Sequence, residues 1–193
     1  MKMAPTMREQ QKEERRQQIL QAGLDLFVQK GFAATKITDI AKAANMSTGL
    51  MFHYFPSKQA LYNALAQIGQ QGAQMALPQE GSSPLAFFTG IAQGILQALS
   101  SSPFYAKIFL LMSQSLRGDA PEEAIEAAAQ TNNIQMCVPL IQAGQAAGEI
   151  KQGDALSLSF AFWASMQGVA ESSLLYPHIA LPPATCFTDI LRA

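Results

Sequence analysis

Side chains suited to acid–base, nucleophilic or metal chemistry are few in this sequence and lie far apart. There are two histidines, His53 and His178, and two cysteines, Cys137 and Cys186. Two histidines exclude a histidine-rich metal site, and no Cys, Asp or Glu stands near His53 in the sequence to make it a ligand or a catalytic base. A helical enzyme would have to use His178, the cysteines and scattered carboxylates. We therefore expect no catalytic site, no metal and no cofactor.

A different chemistry, the recognition of base edges, is indicated by residues 37–55. Ala41 is small where two helices must cross closely, and Asn45, four residues later, tolerates a left-handed turn. Ser47 can then cap a second helix, roughly Thr48 to Tyr54. This is the layout of a helix-turn-helix, which places the first residues of its second helix in the major groove. The alternative is an ordinary helical scaffold that never touches nucleic acid.

The charge distribution favours a polyanion as partner. Residues 1–60 hold nine Lys/Arg and five Asp/Glu, a balance of +4, whereas residues 61–193 hold four and nine, a balance of −5. A basic, charge-dense segment thus precedes a charge-poor, apolar body, as in proteins whose first segment meets nucleic acid. The alternative is a solvated N-terminal helix.

Hydrophobic periodicity predicts an all-α chain of about nine helices, because no segment shows sustained alternation with β-branched enrichment. A Pro-, Gly- and Ser-rich linker at residues 78–84 separates the fourth helix from the fifth. One long helix is predicted from Pro121 to about Ala147, with a kink at Pro139. The next begins at the cap Asp154 and reaches about Tyr176.

The first third of the sequence resembles the N-terminal domain of TetR-family transcriptional regulators. The residues that carry the resemblance are Arg16, Ile19-Leu20, Leu26-Phe27, Gly31-Phe32, Thr35, Ile40-Ala41, Ala44-Asn45-Met46-Ser47, Gly49-Leu50, Phe52-His53-Tyr54-Phe55-Pro56-Ser57-Lys58 and Leu61. It implies a DNA-binding domain at 1–57, a ligand-binding and dimerisation domain at 58–193, and a dimeric repressor released from its operator by a small ligand.

The resemblance and the residue types together give a set of expected DNA contacts. These are Thr35, Lys36, Ser47, Thr48, Gly49, His53, Tyr54 and Lys58. Thr35, Lys36 and Lys58 begin helices, where hydroxyl, N–H and ammonium groups can meet phosphate. Thr48, Gly49 and His53 are the expected base-facing or backbone-facing positions. The alternatives are solvated lysines and a Ser47 that only caps its helix.

Phe52 departs from the family pattern, since many relatives have tyrosine there. A tyrosine hydroxyl can donate to a phosphate and Phe52 cannot, so Tyr54 is the candidate substitute donor.

The body is expected to hold a ligand pocket and a dimer interface. Asn132 and Gln167 interrupt apolar helical stripes, and a buried amide needs a partner, which a ligand, a neighbouring backbone or a second subunit could supply. The expected pocket residues are Phe104, Met112, Asn132, Met136, Phe160, Trp163 and Gln167. The expected dimer contacts, a stripe of small residues in a helix that pairs with its copy in this family, are Ala161, Ser165, Gly168 and Ser172.

The expected partners are a double-stranded DNA operator, a second copy of the chain and a mostly apolar effector. The longest apolar runs are too short to span a membrane, and no secretory leader opens the chain. With two cysteines, the composition fits a reducing compartment, so we expect a cytoplasmic protein without a membrane partner.

Overall fold

The computed structural model describes residues 6–74, 83–130 and 132–193, and within these ranges the chain is built from helices. The eleven helices are α1 (Met7–Lys30), α2 (Ile37–Ala43), α3 (Thr48–Tyr54), α4 (Lys58–Gln74), α5 (Pro84–Ser101), α6 (Pro103–Leu116), α7 (Glu122–Gln130), α8 (Asn133–Met136), α9 (Val138–Ala146), α10 (Ala155–Leu175) and α11 (Thr185–Thr188). A single antiparallel bridge joins Ile150 to Arg192 in the part of the chain described. The all-α prediction is confirmed.

The helix ends follow the capping residues. Ser47, Ser83, Ser102 and Asp154 each accept a hydrogen bond from a backbone N–H in the first turn of the helix that follows. Prolines occupy the first turn of α5 and α6, where a missing N–H costs no helical bond. Gly31 ends α1 with φ of 81°, a conformation that favours glycine.

The predicted helix of residues 121–147 is divided into α7, α8 and α9, which accounts for eleven helices where about nine were expected. The Asn132 side chain accepts from the N–H of Gln135 at 3.2 Å and so starts a new helix. Pro139 stands in the first turn of α9, because it has no N–H to continue the preceding turn. The sequence predicted a kink at Pro139, and the structure has a helix boundary there.

One hydrophobic core joins the first three helices to the body. It contains Ile19, Leu20 and Phe27 of α1 and continues into α4, α6 and α7 through Leu61, Tyr62, Leu65, Ile108, Leu111 and Ala124. A second core links α5, α9, α10 and α11. Packing thus crosses the expected boundary between residues 57 and 58, so any movement of α4 or α6 acts directly on α1.

Among the described residues, no single helix is long and apolar enough to cross a membrane. Helices α5 and α6 reach the required length and composition only together, and the pair is bent by 116°.

Candidate nucleic-acid interface

The turn between α2 and α3 has the geometry that the sequence predicted. Ala41 is buried where the two helices cross, and Asn45 adopts φ of 54°. The Met46 N–H donates to the Ala41 carbonyl at 3.0 Å, which closes the turn. The two short helices are therefore held at a fixed angle by backbone hydrogen bonds and one left-handed residue.

Helix α3 presents its N-terminal residues to solvent. Ser47 accepts from the Leu50 N–H at 3.2 Å, so it is a helix cap, and its side chain is exposed. Gly49 and His53 are exposed, Thr48 is half-buried, and nothing lies within 4 Å of a Cβ built on Gly49. Met51 points inward and is fully buried. The outward face can therefore approach another surface closely.

A shallow groove of about 510 Å³ separates α2 from α3 on this outward side. Its walls include Thr38, Lys42, Asn45, Ser47 and Thr48, all polar or charged. Hydroxyl, amide and ammonium groups supply both donors and acceptors, as readout of base edges and phosphates requires.

The candidate phosphate donor Tyr54 and the departing residue Phe52 differ in exposure. Tyr54 is half-buried and packs against the core, while Phe52 is 45% exposed beside it. An exposed phenyl ring cannot donate to phosphate, but it can meet the methyl group of thymine.

Two of the three predicted phosphate contacts have other partners. Thr35 is 1% exposed, and its hydroxyl donates to the Gly31 carbonyl at 2.6 Å and to the Leu26 carbonyl at 3.2 Å. The hydroxyl therefore closes the end of α1 and neither caps α2 nor faces solvent. This corrects the predicted hydroxyl–phosphate contact.

The Lys58 ammonium is likewise directed inward. It donates to the carbonyls of Phe32 at 2.7 Å and Thr35 at 2.8 Å, and it lies 4.2 Å from the centroid of the Phe32 ring. The predicted phosphate contact of this side chain is corrected, because its protons already satisfy the loop between α1 and α2. Lys36, by contrast, is exposed at the start of α2 and remains available.

Several contacts between the first helices and the body were not found from the sequence. The Asp119 carboxylate accepts from the Ala33 N–H at 3.3 Å, and the Gln114 amide donates to the Val28 carbonyl at 3.1 Å. Lys107 pairs with Asp25 at 2.5 Å. Each joins positions more than 80 residues apart, so no local spacing could have indicated them.

The structure does not bring the seven expected pocket residues together. Phe104 and Met112 pack against the first core, whereas Trp163 packs against the second. Asn132, Met136 and Phe160 are exposed; the latter two are 60% and 59% accessible. Gln167 donates to the Glu171 carboxylate at 2.9 Å and so needs no ligand. This corrects the expectation of one cavity, since residues on one helical stripe here face solvent rather than the interior.

The predicted small-residue stripe lies on the outer side of α10. Gly168 and Ser172 are exposed, Ala161 and Ser165 are half-buried, and the Ser165 hydroxyl donates to the Phe162 carbonyl at 2.6 Å. Among the residues described, no three His, Cys, Asp or Glu side chains are grouped to hold a metal ion.

A capped three-residue turn, a short exposed second helix and an otherwise helical chain define a DNA-binding protein of the helix-turn-helix class. The comparisons with known proteins agree. The family model described as "Bacterial regulatory proteins, tetR family" matches residues 19–65. The chain is 31% identical over 156 residues to the HTH-type transcriptional regulator RutR of Escherichia coli O157:H7, covering 79% of this chain and 72% of RutR.

Two further proteins are similar. One is the HTH-type transcriptional repressor KstR2 of Mycolicibacterium smegmatis, 24% identical over 152 residues, covering 77% of this chain and 73% of KstR2. The other is the crystal structure of native NalD of Pseudomonas aeruginosa, with a TM-score of 0.61 and 24% identity, covering 92% of this chain and 93% of NalD. The chain belongs to the TetR family. It is a transcriptional regulator and not an enzyme.

Proposed function

We propose that this regulator is a repressor that binds an inverted-repeat operator as a homodimer and leaves it when a mostly apolar small molecule binds. The observation that carries the proposal is the exposed, capped N-terminal half of α3. KstR2 is named a repressor, and NalD is described as the secondary repressor of a multidrug efflux pump, which supports repression here. An operator on the chromosome would put its action in the cytoplasm.

The proposed reading head consists of Thr48, Gly49 and His53, with Lys36 on an adjacent phosphate. Gly49 is exposed and has no side chain, which lets the backbone of α3 approach the floor of the DNA major groove. Thr48 and His53 offer polar atoms to base edges. Two such heads on a two-fold dimer would read half-sites whose centres lie about 34–36 Å apart, or somewhat more.

The test is to select duplexes from a random library and to measure affinity against salt concentration. Thr48→Ala or His53→Ala should change the selected sequence, with a loss of about 1–3 kcal/mol per disrupted base contact. Lys36→Ala should weaken binding to every duplex and reduce the log–log salt slope by about two units, one for each protomer of the dimer. Lys151→Ala, an exposed lysine of the body, is the matched control. Selection of the same sequence by both α3 variants would refute the reading head.

The proposed dimer interface is the outer face of α10. Gly168 and Ser172 are exposed there next to the 71% exposed Leu175, so small and apolar groups form a surface that suits close helix pairing. Obligate dimers bury about 2,000 Å² or more, and a body this poor in charge has apolar surface to cover.

The proposed effector site lies around Trp163. Its indole Nε1 is buried without a hydrogen-bond acceptor among the described residues, although the Cys137 thiol is a polar neighbour. The indole ring lies edge-on to the Phe162 ring, with 5.6 Å between the ring centroids. The Phe162 ring in turn lies edge-on to Phe88, with 5.0 Å between centroids. A buried donor without a partner costs about 1–3 kcal/mol, which an acceptor on an otherwise apolar ligand would recover.

Because Trp163 is the sole tryptophan, its fluorescence reports on that site directly. A panel of apolar compounds bearing one acceptor should contain members that shift its emission and release the selected operator. Trp163→Phe should keep operator affinity and weaken the response to those compounds. Full release in that variant would place the effector elsewhere.

A further inference from the structure

The N-terminal half of α1 projects beyond the core of the protein. Every residue from Met7 to Arg15 is exposed, and the first buried residue of the helix is Ile19. Twelve residues of helix extend about 18 Å at 1.5 Å per residue. This segment also precedes residues 19–65, which match the family model.

A capping box holds the projecting segment as helix. The Thr6 N–H donates to the Glu9 carboxylate at 2.7 Å, and the Glu9 N–H donates to the Thr6 hydroxyl at 3.3 Å. The same bonds to Thr6 hold the pKa of Glu9 below its ordinary value, so the carboxylate stays charged beside the positive end of the helix. The side chains of this segment therefore have a defined direction.

The basic residues of the segment share one face, and Glu9 and Glu13 lie at its edge, where Glu13 pairs with Arg16. Arg8, Lys12, Arg15 and Arg16, spaced i, i+4, i+7 and i+8, share one face, which we call the basic stripe. The Arg16 guanidinium lies 5.5 Å from the ring centroid of Phe55, the residue that ends α3. The basic stripe thus continues along the side of α1 that carries the reading head.

The acidic residues of the segment lie toward the body. Glu9, Glu13 and Glu14 line an open groove of about 950 Å³ opposite Ser102 and Tyr105 at the start of α6. A helix face with four positive side chains that leads to the DNA-reading element is complementary to a polyanion lying against that element.

Outside the basic stripe, the exposed positive charges near the reading head include Lys36 and Lys42 of the α2 region among the described residues. Helix α3 contains no Lys or Arg, and the Lys58 ammonium is bound to backbone carbonyls. Within the described ranges, Arg16 alone of the basic stripe has a carboxylate within 4.0 Å, that of Glu13 at 3.8 Å. A lipid surface fits less well, because the segment 7–18 has Met7 as its one apolar residue and interfacial helices need an apolar face.

We propose that the basic stripe of α1 binds the phosphate backbone of duplex DNA flanking the half-site that α3 reads. This inference rests on the proposed operator binding and deepens it. It assigns sequence-independent affinity to α1 and sequence preference to α3.

The experiment compares wild type with the triple variant Arg8→Gln/Lys12→Gln/Arg15→Gln. Both bind two duplexes that carry the wild-type-selected operator, one trimmed to its selected bases and one extended on both sides. Because a dimer carries two such stripes, the variant should lose about five units of log–log salt slope on the extended duplex and bind roughly 10,000-fold more weakly at 0.15 M salt. On the trimmed duplex the two proteins should bind alike, with the same ranking of operator variants.

The control Arg117→Gln/Lys151→Gln removes two exposed positive charges from the body and should keep the wild-type slope. Circular dichroism should show an unchanged helix content in the triple variant. If wild type selects no sequence, operator binding itself fails. If it selects one but the triple variant keeps the wild-type slope on the extended duplex, the α1 assignment is overturned. Equal losses on both duplexes, or stripe-dependent binding to phosphatidylserine vesicles with an unchanged DNA slope, overturn it as well.

Discussion

Tyr62 is the residue through which α4 makes a polar contact with α6 inside the first core. Its side chain is fully buried, shares a hydrogen bond of 2.9 Å with the Ser115 hydroxyl, and donates to the Leu111 carbonyl at 3.3 Å. Burial raises the pKa of Tyr62 above its ordinary value of 10.0; the Ser115 hydrogen bond opposes this rise, and the nearby Asp119 charge adds to it. The neutral phenol is thus the form that the fold requires.

We predict that Tyr62→Phe lowers the free energy of unfolding by about 0.5–1.5 kcal/mol at neutral pH, the usual net value of a hydrogen bond. Because the folded pKa lies above the unfolded one, the phenol's contribution is complete below pH 10.0 and is lost as the pH rises through the raised pKa. Urea titrations of both proteins from neutral to alkaline pH should show their difference shrinking above pH 10. A constant difference would mean that the pKa of Tyr62 is the same in the folded and the unfolded protein.

At the same scale, caps were predictable from sequence and buried donors were not. Ser47 could be assigned because a cap depends on residues one turn away. Lys58 could not, because its acceptors lie more than 20 residues away and become neighbours only when the loop after α1 folds back. The Thr35 hydroxyl was assigned to the start of α2, but it bonds to the Gly31 carbonyl four residues earlier. Their positions at helix starts indicated phosphate binding, but in the structure both side chains donate their hydrogen bonds to backbone carbonyls instead.

Among the elements, the loop between α1 and α2 is the one on which the most distant contacts converge. Lys58 of α4 binds two of its carbonyls, and Asp119 of the loop after α6 accepts from its Ala33 N–H. The angle of the helix-turn-helix is therefore linked to both α4 and α6 through one loop.

We predict that Lys58→Gln lowers the free energy of unfolding by about 1.5–3 kcal/mol, the range for hydrogen bonds to a charged group. Its salt slope for DNA should match wild type, because the ammonium is directed into the loop. Lys36→Gln is the matched comparison, because Lys36 is exposed: its loss should reduce the salt slope of the dimer by about two units and leave the free energy of unfolding nearly unchanged. Urea unfolding and fluorescence anisotropy measure the two effects separately. A reduced slope with normal stability in Lys58→Gln would restore it as a phosphate contact.

The order and type of the helices could be predicted because periodicity and caps are local. The division of residues 121–147 into three helices was missed although its signals, the Asn132 cap and Pro139, are local, because the apolar stripe along the segment favoured one continuous helix. Periodicity also failed to predict the ligand pocket, because an apolar stripe on a helix can pack against the protein's own core or against a second chain, and the sequence pattern is the same in both cases. Met136 and Phe160 lie on such stripes and are exposed.

At the scale of the whole molecule, the exposed apolar groups around α10 favour the homodimer that the proposed inverted-repeat operator requires. Leu156, Phe160 and Leu175 of α10 are each 46% exposed or more. Large apolar side chains grouped on one helix of a charge-poor body favour association. The small-residue stripe beside them lets two copies of the helix approach.

Gly168 tests this assembly without disturbing the single chain. Nothing lies within 4 Å of a Cβ built at Gly168, so a tryptophan side chain there can extend into solvent in the isolated chain. It would clash only with a partner subunit packed on this face. Gly94→Trp is the matched control, since Gly94 is also an exposed helical glycine with open space around it, on α5. We predict that Gly168→Trp shifts the protein from dimer to monomer in sedimentation velocity, whereas Gly94→Trp remains a dimer.

The same variant separates assembly from base reading. A monomeric Gly168→Trp protein should keep its preference for one half-site and lose affinity for the full inverted repeat, because the second head is no longer held at the operator spacing. Anisotropy with half-site and full-site duplexes measures both. A Gly168→Trp protein that stays dimeric at every concentration would move the interface off this face of α10, and one that is monomeric yet binds the full repeat as tightly as wild type would show that the operator does not depend on the dimer.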